Sequence, residues 1–218
     1  MFAQGVVVDP SAGSTPDGNL GTLNLGRSNE AIVAELHGKY YEQCYRGNLY
    51  YTTTTAAGVA LITSSTLTPT YSLWNPAGSG KNAVLVSLMV AWGTVTTVAG
   101  GVVWTATTNA GSSISSTAPF VAFGTGTAIN ANLGSGKVAQ LKCATGGTTT
   151  LVAAATLFRT TGIAVGSTSL VAATSWWMAR EEYDGSMIVP PGNAIHLMAS
   201  TALAATCCIT TAWYEAAL

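Results

Sequence analysis

The chain has 218 residues, of which 48% are hydrophobic and only 8% charged, with 8 Lys and Arg against 9 Asp and Glu and a net charge of −1. A free monomer normally carries roughly a quarter charged residues, so this composition points to a membrane protein, a disordered chain, or a protein whose surface its neighbours cover. The longest apolar stretch, Ala83 to Trp92, is interrupted by Ser87 and is far shorter than the roughly 20 residues a spanning helix requires. Repeated alternating strands with aromatic girdles, the mark of a lipid-facing barrel, are not seen. Six Trp and eight Tyr spread along the chain argue against disorder. What remains is a folded protein covered by protein partners, with Thr, Ser, Asn and Gly as polar surface that can be buried without desolvating charge.

The first residues, Met1 to Pro10, lack a basic segment followed by an apolar core, so no signal peptide is expected. Asp9 to Gly26 is rich in Gly, Pro, Ser and Asp and reads as extended or irregular. Ser28 is placed to cap a helix over about 29–46, with Glu30 in its first turn. Ile32, Val33, Leu36, Tyr40 and Tyr41 follow at helical spacing, and Gly47 is a stop. Residues 1–48 are therefore expected to form an N-terminal arm with one short helix, and 49–218 a separate body. Leu36, Tyr40, Tyr41, Tyr45 and Arg46 are the candidate interface residues of the arm. The tyrosines flank its junction with the body and suit an interface core.

From Leu49 the pattern is strand, turn, strand. Predicted strands are Leu49–Thr54, Val59–Ser64, Tyr71–Trp74, Ala83–Trp92 (buried on both faces), Gly101–Thr107, Val138–Cys143, Thr149–Phe158, Ser169–Trp177, Ser186–Val189, Ala194–Ala199 and Thr206–Glu215. Asn75 to Gly80 and Pro190-Pro191-Gly192 are turns, and Asn109 to Gly136 reads as a long Gly/Ser/Ala-rich loop. Short strands at this spacing predict an all-β chain, an antiparallel β-sandwich or jelly roll. In Trp176-Trp177 one ring faces the core and the other the opposite side, which makes the pair the candidate interface of the body.

Strings that carry chemistry elsewhere fall short here. In Gly78-Ser79-Gly80-Lys81-Asn82 and the residues before it, Asn75 stands where a phosphate-binding loop needs glycine and Asn82 where it needs a hydroxyl, and a strand comes next rather than a helix. Gly124-Thr125-Gly126-Thr127 lacks the third glycine of a dinucleotide fingerprint. His37 and His196 have no nucleophile elbow or orienting acid and read as structural. Glu181, Glu182 and Asp184 read as a solvated turn, with calcium as the lesser option. Cys44, Cys143, Cys207 and Cys208 show no ligand spacing and read as reduced thiols, in keeping with synthesis in a reducing cytoplasm. No Lys/Arg cluster is present, so direct nucleic-acid binding is not expected. The reading is non-enzymatic, without cofactor or metal.

The string Ala34-Glu35-Leu36-His37-Gly38-Lys39-Tyr40-Tyr41-Glu42-Gln43, with Tyr45-Arg46-Gly47-Asn48-Leu49, resembles segments of tailed-bacteriophage virion proteins. So does Asn75 to Asn82 leading into its apolar strand. The ending, Val189-Pro190-Pro191-Gly192 through Ala212-Trp213-Tyr214-Glu215, is similar to the last hairpin of phage jelly-roll decoration proteins. The likeness covers the arm, middle and tail of the chain. It implies a capsid decoration (cement) protein in the virion, commonly a homotrimer, on the outside of a shell built by a different major capsid protein. The chain departs from the shell protein itself, being short and without a long spine helix. A phage tail or receptor-binding protein that recognises host glycan through its aromatic residues is the alternative.

Overall fold

The computed structural model describes residues 38–93, 98, 100–108, 114–115, 128–145, 150–151, 154–164, 178–203 and 205–218. Its elements run α1 (Tyr41–Tyr45), β1 (Leu49–Thr53), β2 (Val59–Ala60), β3 (Tyr71–Asn75), β4 (Lys81–Trp92), β5 (Gly100–Thr107), β6 (Ile114–Ser115), β7 (Ile129–Asn130), β8 (Lys142–Thr145), β9 (Thr150–Leu151), β10 (Thr156–Ala164), β11 (Met178–Glu182), β12 (Ile188–Val189), β13 (Asn193–Ala199) and β14 (Thr206–Ala217). A seven-stranded sheet has the order β11-β4-β14-β1-β7, with β12 also on β4 and β2 also on β14; a five-stranded sheet has the order β10-β5-β13-β3-β8; and β6 and β9 pair apart from both. All named strands pair antiparallel. The long strands nest: β1 with β14, β3 with β13, β4 with β11, and β5 with β10. First-with-last pairing in two facing sheets is the jelly roll, an all-β sandwich.

Alternation along the strands explains the core. In β14, Cys207, Ile209, Thr211, Trp213 and Glu215 are buried, while Cys208, Thr210 and Tyr214 between them are less so, as a two-residue period requires. Trp104, Trp213, Tyr50, Tyr71 and Tyr183 are the largest fully buried side chains, and together with Leu61, Leu73, Leu85, Leu88 and Leu197 they form one continuous cluster between the sheets. Hydrogen bonds between side chains cross this interior. Tyr71 Oη donates to Thr211 Oγ1 at 2.8 Å, and Trp104 Nε1 donates to Tyr183 Oη at 2.6 Å. The sheets are also joined at one margin, where the Arg159 guanidinium of β10 pairs with Glu181 of β11 and lies 5.1 Å from the Tyr183 ring centroid.

Strand β4 reads as buried on both faces in its first half, and its register shows why. Ala212 of β14 pairs with Ser87 and Trp213 with Leu85, which leaves Val86 as an extra residue. This β-bulge reverses the facing of the strand: Ala83 and Leu85 point into the core before it, Leu88 and Val90 after it. Val86 itself turns outward, where Leu49 and Ala212 join it in a second, smaller cluster covered by Tyr40, Cys44 and Tyr214.

Several expectations change. The helix is shorter than the 29–46 expected: within the described residues it spans Tyr41–Tyr45, and Gly38 to Tyr40 precede it as turn. Gly38 disfavours a helix running through it, because glycine loses more backbone entropy on becoming helical than other residues and adds no packing. Residues 29–37 lie outside the described residues. Glu181 and Glu182 are strand residues of β11 rather than a turn; only Asp184 and Gly185 turn, with positive φ of 49° and 85°. The expected strand Thr149–Phe158 is two elements, β9 and β10, and the expected loop Asn109–Gly136 contains β6 and β7.

Candidate interaction surface

The arm-to-body junction is packed onto the outer face of the seven-stranded sheet. Short as it is, α1 has no side-chain N-cap, so what holds it comes from elsewhere. Its C-terminal carbonyls are met by side chains of the 130–137 loop. Asn132 Nδ2 donates to the Tyr45 carbonyl at 3.1 Å, Lys137 Nζ to that of Arg46 at 2.7 Å, and Asn130 Nδ2 to that of Gly47 at 2.8 Å. These are the carbonyls a helix end leaves unpaired. Gly47 is required here: its φ is +68°, and an added Cβ would lie 2.7 Å from Ser135 Cβ. Arg46 also donates from Nε to Glu42 at 2.6 Å, one turn back.

Tyr40 seats the other end. Its ring packs on the cluster of Leu49, Val86 and Ala212, with its centroid 6.3 Å from that of Tyr214. Its hydroxyl donates to Asp184 Oδ1 at 2.6 Å, and Lys39 Nζ lies 2.7 Å from the same oxygen. Burial, then the bond to that carboxylate, raise the hydroxyl well above the usual tyrosine range. The bond to Lys39, then that to Tyr40, hold the Asp184 carboxyl below its ordinary value.

Of the residues singled out in the sequence, Tyr40, Tyr41, Tyr45 and Arg46 are thus brought together. Leu36, Trp176 and Trp177 lie outside the described residues. Tyr40 and Arg46 are occupied within the chain, while Tyr41 and Tyr45 stay 44% and 54% exposed, their rings stacked with centroids 6.1 Å apart. Tyr51 and Ile129, cross-strand partners on β1 and β7, continue the exposed apolar surface at 44% and 56%. Ile129 and the clamp residues Asn130, Asn132 and Lys137 went unnoticed in the sequence. The run Asn130-Ala131-Asn132 before Gly134 was the available sign, since Asn side chains bond to backbone in turns.

Among the described residues, several groups that could carry chemistry are engaged in structural contacts. His196 is fully buried on β13, with Nδ1 2.8 Å from Ser72 Oγ and Nε2 3.0 Å from Thr107 Oγ1. Burial pushes its pKa down to about 4, so the ring is neutral at pH 7. Ser72 is equally buried. The three acidic residues 181, 182 and 184 each face a different cation, Arg159, Arg180 and Lys39. Among the described residues no group of His, Cys, Asp or Glu is arranged to hold a metal ion. Lys81, of the loop-like string, opens β4 and reaches Glu215 Oε2 at 3.3 Å. The opposite oxygen of that buried carboxylate accepts from the backbone N–H of Gln140 and Leu141 at 2.5 and 3.0 Å. No helix among the described residues is long and apolar enough to cross a membrane, and the four cysteines are free thiols.

No protein-family model, curated protein or solved structure matched the chain.

Proposed function

We propose that the chain is a capsid decoration (cement) protein of a tailed-phage head, a homotrimer bound to the outside of a shell made by a different major capsid protein. The observation that carries this reading is a sparsely charged jelly roll whose interior its own side chains fill. Jelly rolls serve as capsid and lectin domains and as cupins. This interior is filled mainly by aromatic and aliphatic side chains, and the buried carboxylate of Glu215 is engaged by Lys81 and by two backbone N–H groups rather than open to a ligand. A surface with so few charges is best kept soluble by protein neighbours, and obligate assemblies commonly bury more than about 2,000 Å². The exposed Tyr41, Tyr45, Tyr51 and Ile129 are apt for such burial. The arm ahead of Gly38 reaches across neighbouring capsomers.

Truncation tests the arm. Because Tyr40 and Cys44 cover the small cluster on the sheet, the cut belongs before Gly38 rather than after Gly47. A chain lacking residues 1–37 is expected to keep its unfolding midpoint and to lose binding to heads assembled without the protein. Undiminished binding by this truncation would remove the arm from the account. The stacked, exposed pair Tyr41 and Tyr45 favours one second reading, a tail or receptor-binding protein that stacks host sugars on these rings. Specific, tyrosine-dependent signals on a glycan array would support it over the first.

A further inference from the structure

The two ends of the segment Gly38–Asn48 are held by different means. The C-terminal end is fixed by three bonds from the 130–137 loop to the carbonyls of Tyr45, Arg46 and Gly47. It is fixed again where the Asn48 carbonyl accepts from the Glu215 N–H at 2.9 Å. The N-terminal end has no side-chain cap, and there the side chains of Lys39 and Tyr40 converge on one atom, Asp184 Oδ1, which takes both Lys39 Nζ and Tyr40 Oη. Asp184 is itself held at φ 49°, a conformation that non-glycine residues other than Asn and Asp rarely adopt. Its turn is anchored to the bulge in β4: Tyr183 N–H donates to the Val86 carbonyl at 2.7 Å and Gly185 N–H to that of Leu85 at 3.3 Å. Tyr40 lies over Val86. The bulge therefore places both the carboxylate and the apolar seat that the arm uses.

We infer that Asp184 is a latch: its single carboxylate holds Lys39 and Tyr40, and with them the start of the arm, closed over Leu49, Val86 and Ala212, and without it Gly38–Tyr40 opens toward solvent from the clamped end of α1. The latched state sets the point from which the preceding chain departs. The open state uncovers an apolar seat on the sheet face. The other carboxylate acting on Tyr40 is that of Glu182, which is engaged with Arg180, so among the described residues no second carboxylate stands ready to replace Asp184. The latch is a property of the isolated chain and stands or falls independently of what the protein decorates.

Asp184→Asn is the clean test, because Asn tolerates the left-handed conformation while losing the charge. Amide hydrogen exchange at neutral pH, resolved by residue, reads the result. The Tyr41 and Cys44 amides, bonded to the carbonyls of Gly38 and Tyr40, are expected to exchange about tenfold faster, the scale of one charge-assisted hydrogen bond. Those of Gly47 and Asn48, at the clamped end, are expected to stay as they were. The pair Lys39→Met with Tyr40→Phe should match Asp184→Asn, and combining all three should add nothing further, as a shared latch requires. Unchanged exchange at Tyr41 and Cys44, equal acceleration at both ends, or additive effects in the triple variant would each overturn the latch.

Discussion

Between pH 7 and pH 4 the folded chain is expected to lose about 3 kcal/mol of stability through His196 alone. The ring is buried, its nitrogens meet the hydroxyls of Ser72 and Thr107, and its pKa is pushed from an ordinary 6.5 down to about 4. Desolvation by burial is the cause, and the neutral hydroxyls of Ser72 and Thr107 do not offset it as a carboxylate would. The unfolded chain takes up a proton near pH 6.5 while the folded chain does not. Stability from this group is therefore complete above pH 6.5, falls as the pH drops, and is fully lost below about pH 4. At about 1.36 kcal/mol per unit, a depression of that size gives the figure above. The measurement is a difference, so that protons bound by other groups cancel. Denaturant unfolding of the native chain and of His196→Gln is followed from pH 7 to pH 4. The native chain is expected to lose about 3 kcal/mol more than the variant; parallel pH profiles would show that His196 is solvated.

Trp104→Ala is expected to cost about 4 kcal/mol, the range for deleting a buried aromatic from a packed core. Trp104 is completely buried on β5 and faces the opposite sheet. Its indole N–H is the donor to Tyr183, so truncation empties the space between the sheets and takes a partner from that buried hydroxyl as well. In a chain of this length the loss lowers the melting temperature by roughly 10 °C. Leu133→Ala is the control: that side chain is 85% exposed, and its removal is expected to change stability by less than about 0.5 kcal/mol. A cost below about 1 kcal/mol at Trp104 would mean that the sheets do not meet there.

Much of this architecture is legible from local pattern. The apolar run from Ala83, the turn at Pro190-Pro191-Gly192 and the alternation from Thr206 each mark a strand or hairpin, because a pleated strand with one buried face needs a two-residue period. What escapes is set by partners distant in sequence. Val86 gives no sign of being a bulge, since its extra place in β4 is defined only against Ala212 and Trp213. Glu181 and Glu182 look like a turn because two carboxylates in a row are rare in strands. They are accommodated by Arg159 from the other sheet and Arg180 on the same face. The candidate surface was half legible. The density of tyrosines after residue 39 marked the junction, but which rings it seats and which it leaves exposed depends on the sheet beneath. Asp184, read as one of a solvated acidic group, is instead the anchor of Lys39 and Tyr40.

That neighbours cover this weakly charged surface is tested most directly by sedimentation of the purified chain over a wide range of concentration. A stable particle of about three times the 22.1 kDa chain mass is expected. A monodisperse monomer at every concentration, with no tendency to associate, would contradict it.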